Sequence, residues 1–122
     1  SRGLGDVYKR QHMPLADNAR KHACQMLVDA VSDKAKDNTP AFCTGDFNAT
    51  PDAPEIATTI CQSGILKDAY REAAVQHGAL FTFPSKKTRI DFIFVKHATV
   101  LSTRTIVSSL SDHYPMVIVV EI

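Results

Sequence analysis

Residues 89–96 read Arg-Ile-Asp-Phe-Ile-Phe-Val-Lys. Ile90, Phe92 and Phe94 alternate with Asp91, Ile93 and Val95, so an extended chain here puts apolar side chains on both of its faces. A strand covered on both sides belongs inside a layered domain. Asp91 is the exception in it. An unpaired carboxylate is costly to bury, so Asp91 is expected to have a cationic or hydrogen-bonding partner. His113 is the natural candidate, because a carboxylate that fixes an imidazole's tautomer also stabilises its cationic form.

Working outward, Tyr114 to Ile122 alternates two mainly apolar sets and reads as a second strand with two covered faces. Val100 to Val107 reads as a third strand between them. Upstream, Ala41 to Thr44 is a short apolar run between Pro40 and Gly45. It suits a buried strand leading into Gly45-Asp46-Phe47-Asn48, with polar residues at the carboxyl end where open α/β sheets place ligands. From Asn18 to Val31, Ala19, Ala23, Met26, Leu27, Ala30 and Val31 form the stripe of an amphipathic helix. Asp17 can cap it, and Arg20, Lys21, His22, Gln25 and Asp29 take the solvent face. Residues 32–40 form a polar loop. Asp52, Pro54 and Glu55 ahead of Ile56 and Ile60, with Gly64 behind, mark a shorter helix, and Leu66 to Ala74 holds one more helical turn or two. Helix, strand, helix and then several strands, without repeat or linker, describe one α/β domain or part of one.

With 44% hydrophobic and 22% charged residues in 122, the chain excludes disorder, collagen and coiled coil. Its longest apolar run, Met116 to Val120, is strand-sized and far short of the roughly 18 to 20 residues of a membrane span. Fourteen Lys and Arg against 13 Asp and Glu give a net charge of +1, without the surplus of a dedicated nucleic-acid binder, so stable nucleic-acid binding is not expected. Cys24, Cys43 and Cys61 are odd in number and widely spaced; they read as core thiols rather than zinc ligands or disulfides.

The opening Ser1 to Gln11 has no hydrophobic period and no apolar signal-peptide core. It resembles translated sequencing-adapter read-through, especially in GLGDVYKRQ, and residues 1–11 are set aside as a non-native tail, with the domain reading confined to 12–122. Setting aside Arg2, Lys9, Arg10 and Asp6 leaves a net charge of −1.

Four polar insertions interrupt the apolar scaffold: His12, the pair Asp46 and Asn48, Asp91, and the pair Asp112 and His113. Asp46 and Asn48, one residue apart, share one side of an extended strand end, while Asp112 faces away from His113 and is free to hold a hard cation through oxygen. Bland roles compete with each. Asp46 and Asn48 both favour turns at strand ends, Asp112 could cap, and a lone histidine such as His12 is usually a surface residue. Asn48-Ala49-Thr50 matches a glycosylation sequon, read as coincidence; His77, His97 and the cysteines receive no role.

GDFNATPDAPEI, RIDFIFV and SDHYPMVI, in this order and separation, resemble the carboxyl-terminal half of the endonuclease/exonuclease/phosphatase superfamily, the deoxyribonuclease I-like metal-dependent phosphoesterases. The resemblance runs from His12 to Ile122. It implies a four-layer α/β/β/α sandwich in which two mixed sheets pack face to face with helices outside, with the amino-terminal half missing. It also implies a site. Asp46 would accept a proton from the attacking water or orient it, and Asn48 would hold that water or a phosphate oxygen. His113, oriented by Asp91, and His12 would aim at the scissile phosphate. Asp112, with Asp46 and Asn48, would hold Mg²⁺ or Mn²⁺, and a glutamate and an asparagine from the missing half would complete the metal site.

The function expected is divalent-metal-dependent hydrolysis of a phosphodiester or phosphomonoester. The substrate is open among small molecules, nucleic acid and lipid head groups, and residues 77–87 offer no long basic or apolar loop to grip DNA or a membrane. The alternative is a non-catalytic remnant or interaction module, inactive because half the site is absent. On either reading the chain alone should fold poorly, because its helices can cover only one face of the doubly apolar strands and the other face wants a second sheet.

Overall fold

A computed structural model describes residues 8–12, 17–34 and 38–122, with side chains from 18 to 33 and from 38 to 122. The strands are β1 (Tyr8–His12), β2 (Ala41–Asp46), β3 (Lys67–Asp68), β4 (Val75–Gly78), β5 (Asp91–Lys96), β6 (Thr99–Thr105) and β7 (Met116–Glu121). The helices are α1 (Asp17–Lys34) and the single turn α2 (Ala69–Glu72), with a π-helical segment Glu55–Ile60 running into a 3₁₀ turn Cys61–Ser63. The first sheet has the order β1-β2-β5-β3 and the second β4-β6-β7. Each mixes one parallel pair, β1 with β2 and β4 with β6, with antiparallel neighbours. None of the described helices is long and apolar enough to cross a membrane.

Strand alternation builds the layers. Ala41, Cys43, Phe92 and Phe94 face one side of the first sheet, where they join Cys24, Leu27, Val28 and Val31 of α1 with Ile56, Ile60 and Phe47 in one buried cluster. Phe47 meets Phe94 and Phe92 edge-on at 5.1 and 5.7 Å, each such pair adding about 0.5–1.5 kcal/mol beyond burial alone. The opposite face presents Phe42, Ile93 and Val95, which cluster with Val100, Ile118 and Val120 of the second sheet and with Ala69 of α2. Helices, first sheet and second sheet are therefore three successive layers of the expected α/β sandwich.

Several expectations are corrected by this arrangement. The second sheet that β5 requires is encoded here, and the uncovered face lies one layer further out. Val117 and Val119 of β7 are about half exposed, as is Leu101, with no helix over them among the described residues, so β7 does not have two covered faces. The bulge between Val100 and Ser102 keeps Val100, Thr103 and Thr105 all inward. The backbone of residues 8–12 runs as β1 beside β2 in the same sheet. On α1 the core stripe is rotated to Cys24, Leu27, Val28 and Val31, and Met26 is exposed. Arg20 leaves the solvent face because Glu55, buried in the helical segment below, takes its guanidinium at 2.7 Å. The Asp17 capping expectation falls on a side chain outside the described residues. The helical turn expected within residues 66–74 is α2, preceded by β3, and β4 occupies a stretch for which no element was expected.

Asp68 ties the edge of the first sheet together. Its carboxylate forms two bonds to Arg89, at 2.9 and 3.2 Å, and accepts the Tyr70 amide that opens α2. Arg89 is buried between the rings of Tyr70 and Phe92. Removing one partner of a buried pair leaves a charge uncompensated, so Asp68→Ala should lower stability by about 3–5 kcal/mol in chemical unfolding. Loss of less than 1 kcal/mol would show that Arg89 finds another partner.

Candidate active site

Antiparallel pairing of β2 with β5 sets Asp46 directly opposite Asp91. Both residues follow the strand parity of Phe42 and Ile93, which places them on the face toward the second sheet and at its end. His113 arrives from the loop between β6 and β7. Its Nδ1 lies 2.6 Å from Asp91 Oδ2 and its Nε2 3.7 Å from Asp46 Oδ2. An ionised carboxylate can only accept, so Nδ1 carries the proton given to Asp91, and Nε2 is the nitrogen turned toward Asp46 and the open end of the sheet.

Asp46 and Asn48 reach the site differently from the expected extended strand. The strand ends at Asp46, whose Oδ1 accepts the Asn48 amide at 2.9 Å, and Asn48 sits in the left-handed region with φ of 50°. In Asp46 one carboxylate oxygen thus serves the turn and the other faces His113. Phe47 between them donates its amide to the Ile90 carbonyl at 2.8 Å and points its ring into the core, which anchors the turn.

Thr82 is a positioning residue that the sequence reading missed. It is fully buried, and its hydroxyl oxygen accepts the amides of Ile90 and Asp91, both at 3.1 Å. Its carbonyl accepts the amide of Tyr114 at 2.7 Å. One residue therefore fixes both the strand start that bears Asp91 and the chain next to His113. Phe83 beside it packs its ring 4.9 Å from the imidazole. The only signal in sequence was a threonine between two phenylalanines shortly before the Asp91 strand.

Asp112 does not join the cluster. It is exposed, takes a hydrogen bond from the Ser111 hydroxyl at 3.3 Å, and acts on His113 through its charge. The backbone of His12 ends β1 in register with Asp46, at the same sheet end, and its side chain lies outside the described residues. His22, His77 and His97 are exposed, Cys24 and Cys43 buried and Cys61 partly so, all three thiols unbridged.

Electrostatics follow from this packing. Burial raises the Asp91 carboxyl above its ordinary value, outweighing the bonds from His113 and Thr82 that lower it, and the Asp46 charge pushes the same way as burial. Burial alone would lower His113. Its bond to Asp91 and the charges of Asp91, Asp46 and Asp112 together win, and the imidazole is raised above 6.5. Asp46, Asp91 and His113 offer ligand atoms within 4.8 Å of one another. Since Asp91 and His113 are bonded to each other, the oxygen donors for a hard cation at this end are those of Asp46 and Asn48, and the expected ligand Asp112 is not among them. They fit a divalent ion in kind and supply part of the roughly six ligands that Mg²⁺ takes.

An NMR titration should place the His113 midpoint above 6.5, and Asp91→Asn should bring it down, because the bond and charge lost are the largest of the effects that offset burial. A midpoint indifferent to that substitution would mean the pair does not form. Thr82→Val, which keeps the shape and removes the hydroxyl, should lower the midpoint in the same direction by a smaller amount.

The family model for the endonuclease/exonuclease/phosphatase family matches residues 2–113. Among solved structures, an endonuclease/exonuclease/phosphatase from Bacteroides vulgatus aligns with a TM-score of 0.80 at 27% identity, over 98% of this chain and 51% of its own. The mannosyl-6-phosphatase of Bacteroides thetaiotaomicron aligns at 0.81 and 22% identity, over 93% and 50%. The human Nocturnin catalytic domain, solved with a bound sulfate anion, aligns at 0.60 and 18%, over 90% and 46%. No curated protein sequence matches. The chain spans about half the length of the structures it matches. A family match over this span, together with the shared fold, establishes that the chain belongs to the endonuclease/exonuclease/phosphatase family.

Proposed function

We propose that the protein carrying this chain is a divalent-metal-dependent phosphoesterase, hydrolysing a phosphodiester or phosphomonoester by attack of water. The observation that carries this reading is the triple of Asp46, His113 and Asp91 at 3.7 and 2.6 Å, in a chain of this family. Hydrolysis of a phosphate ester needs a positioned water, donors for the non-bridging oxygens and compensation of developing negative charge. His113 donates from Nε2 to a phosphate oxygen, and its raised basicity keeps it cationic to higher pH. Asp91 holds the ring at the required angle and balances its charge. Asp46 orients the attacking water or takes its proton, and Asn48 holds that water or a phosphate oxygen. His12, whose backbone is in register with Asp46, would be a second donor to the phosphate.

A divalent cation, when bound, neutralises charge developing on the phosphate oxygens. Asp46 and Asn48 would hold it, and further ligands would come from residues beyond this chain, which spans half of its structural relatives. The 122-residue chain alone is therefore expected to be inactive. A small or exposed phosphoester is the favoured substrate, since the chain's net charge of +1 gives no general attraction for a polyanion. The mannosyl-6-phosphatase neighbour is a phosphatase of this fold.

Phosphoester hydrolysis by the full-length protein should stop in EDTA and return with Mg²⁺ or Mn²⁺. His113→Ala should lower kcat by roughly 10² to 10⁴-fold with little change in stability. Turnover untouched by EDTA, or a near-normal alanine variant, would overturn the reading in favour of a remnant or interaction module.

A further inference from the structure

Two cavities meet at His113, and their linings differ in charge. One, of about 680 Å³, runs from Asp46 and Asp91 toward Leu110 and Met116; among the described side chains two carboxylates line it and no Lys or Arg does. The other, of about 810 Å³, runs from Asn48 across Phe83 and Pro54 toward α1, and among the described side chains Arg20, Lys21 and Lys86 line it against the one carboxylate of Glu55. Glu55 is already taken by Arg20 at 2.7 Å. Lys21 and Lys86 are exposed and contribute the positive charge of this lining that Glu55 leaves uncompensated.

We propose that this second groove is a subsite for a second anionic group of the substrate, held by Lys21 and Lys86 while the scissile phosphate sits at His113. This rests on the phosphoesterase reading and narrows it to phosphate esters that carry another phosphate or carboxylate. The direction is set by charge. An anionic substrate entering along the first cavity would face Asp46 and Asp91, with no Lys or Arg among the described side chains lining it. Along the second it meets two lysines that line one groove. Ala49, Ala53, Pro54, Phe83 and Ile90 give that groove an apolar floor suited to the carbon skeleton between the two anionic ends. The lysines sit on two separate elements, α1 and the loop before β5, so a ligand bridging them is recognised by its length as well as its charge. Because both are exposed, their attraction should fade at high salt, where the Debye length falls toward about 3 Å.

The test compares glucose 1,6-bisphosphate with glucose 6-phosphate, in the full-length protein with Mg²⁺ present. The wild type should favour the bisphosphate in kcat/KM, mainly through KM. The double variant Lys21→Ala/Lys86→Ala should reduce that preference about tenfold, the double Lys→Arg variant should retain it, and Lys67→Ala, on the remote strand β3, should leave the preference at the wild-type value. An alanine double variant with the wild-type preference overturns the subsite. If neither ester is turned over, the phosphoesterase reading fails for these substrates, and calorimetric binding of glucose 1,6-bisphosphate decides the subsite separately. A Kd about tenfold weaker in the alanine double variant supports it, and an unchanged Kd overturns it.

Discussion

The register of β2 against β5 sets two carboxylates, Asp46 and Asp91, opposite each other on one face of a sheet. Like charges in that position destabilise a strand pair, and partial burial strengthens the repulsion. His113 eases that repulsion by bonding one carboxylate at 2.6 Å and turning its other nitrogen to the second at 3.7 Å. Much of the surrounding structure serves this contact. Thr82 pins both of its arms, Phe83 packs on the imidazole, and Phe47 locks the turn through which Asp46 reaches the face.

Layering explains why such a site can be both buried and accessible. The phenylalanine trio and α1 seal one face of the first sheet, and the second sheet covers most of the other, so the carboxylates are shielded from behind. The open end of the sheet gap remains, with one cavity on each side of His113. The acidic side suits cations and the basic side suits anions. A phosphoester with its metal needs both kinds of lining, adjacent and facing a common donor.

The strand cores and the carboxylate–imidazole contact could be read from sequence because their signals are local. Period-two alternation in residues 89–96 marks two buried faces, and an acid within it demands a partner. Other features depend on sequence-distant neighbours. Arg20 looked like a solvent residue until Glu55, thirty-five positions away, needed a countercharge. Strand β4 has no buried residue, so no pattern announced it; it exists because β6 offers an edge. Residues 8–11 likewise lack periodicity yet pair with β2. Asp112 is adjacent to His113 in sequence, but the loop carries it outward to solvent, and adjacency alone could not distinguish that from convergence. Thr82 is a hub only because three separate segments meet at it.

The central claim is that Asp91 acts through His113 rather than independently. A double-mutant cycle on kcat in the full-length protein, with Asp91→Ala, His113→Ala and both together, tests it most directly. Residues acting as one unit predict that the double variant is no slower than His113→Ala alone. Losses that multiply, each substitution exacting its full effect in the other's absence, would contradict the account.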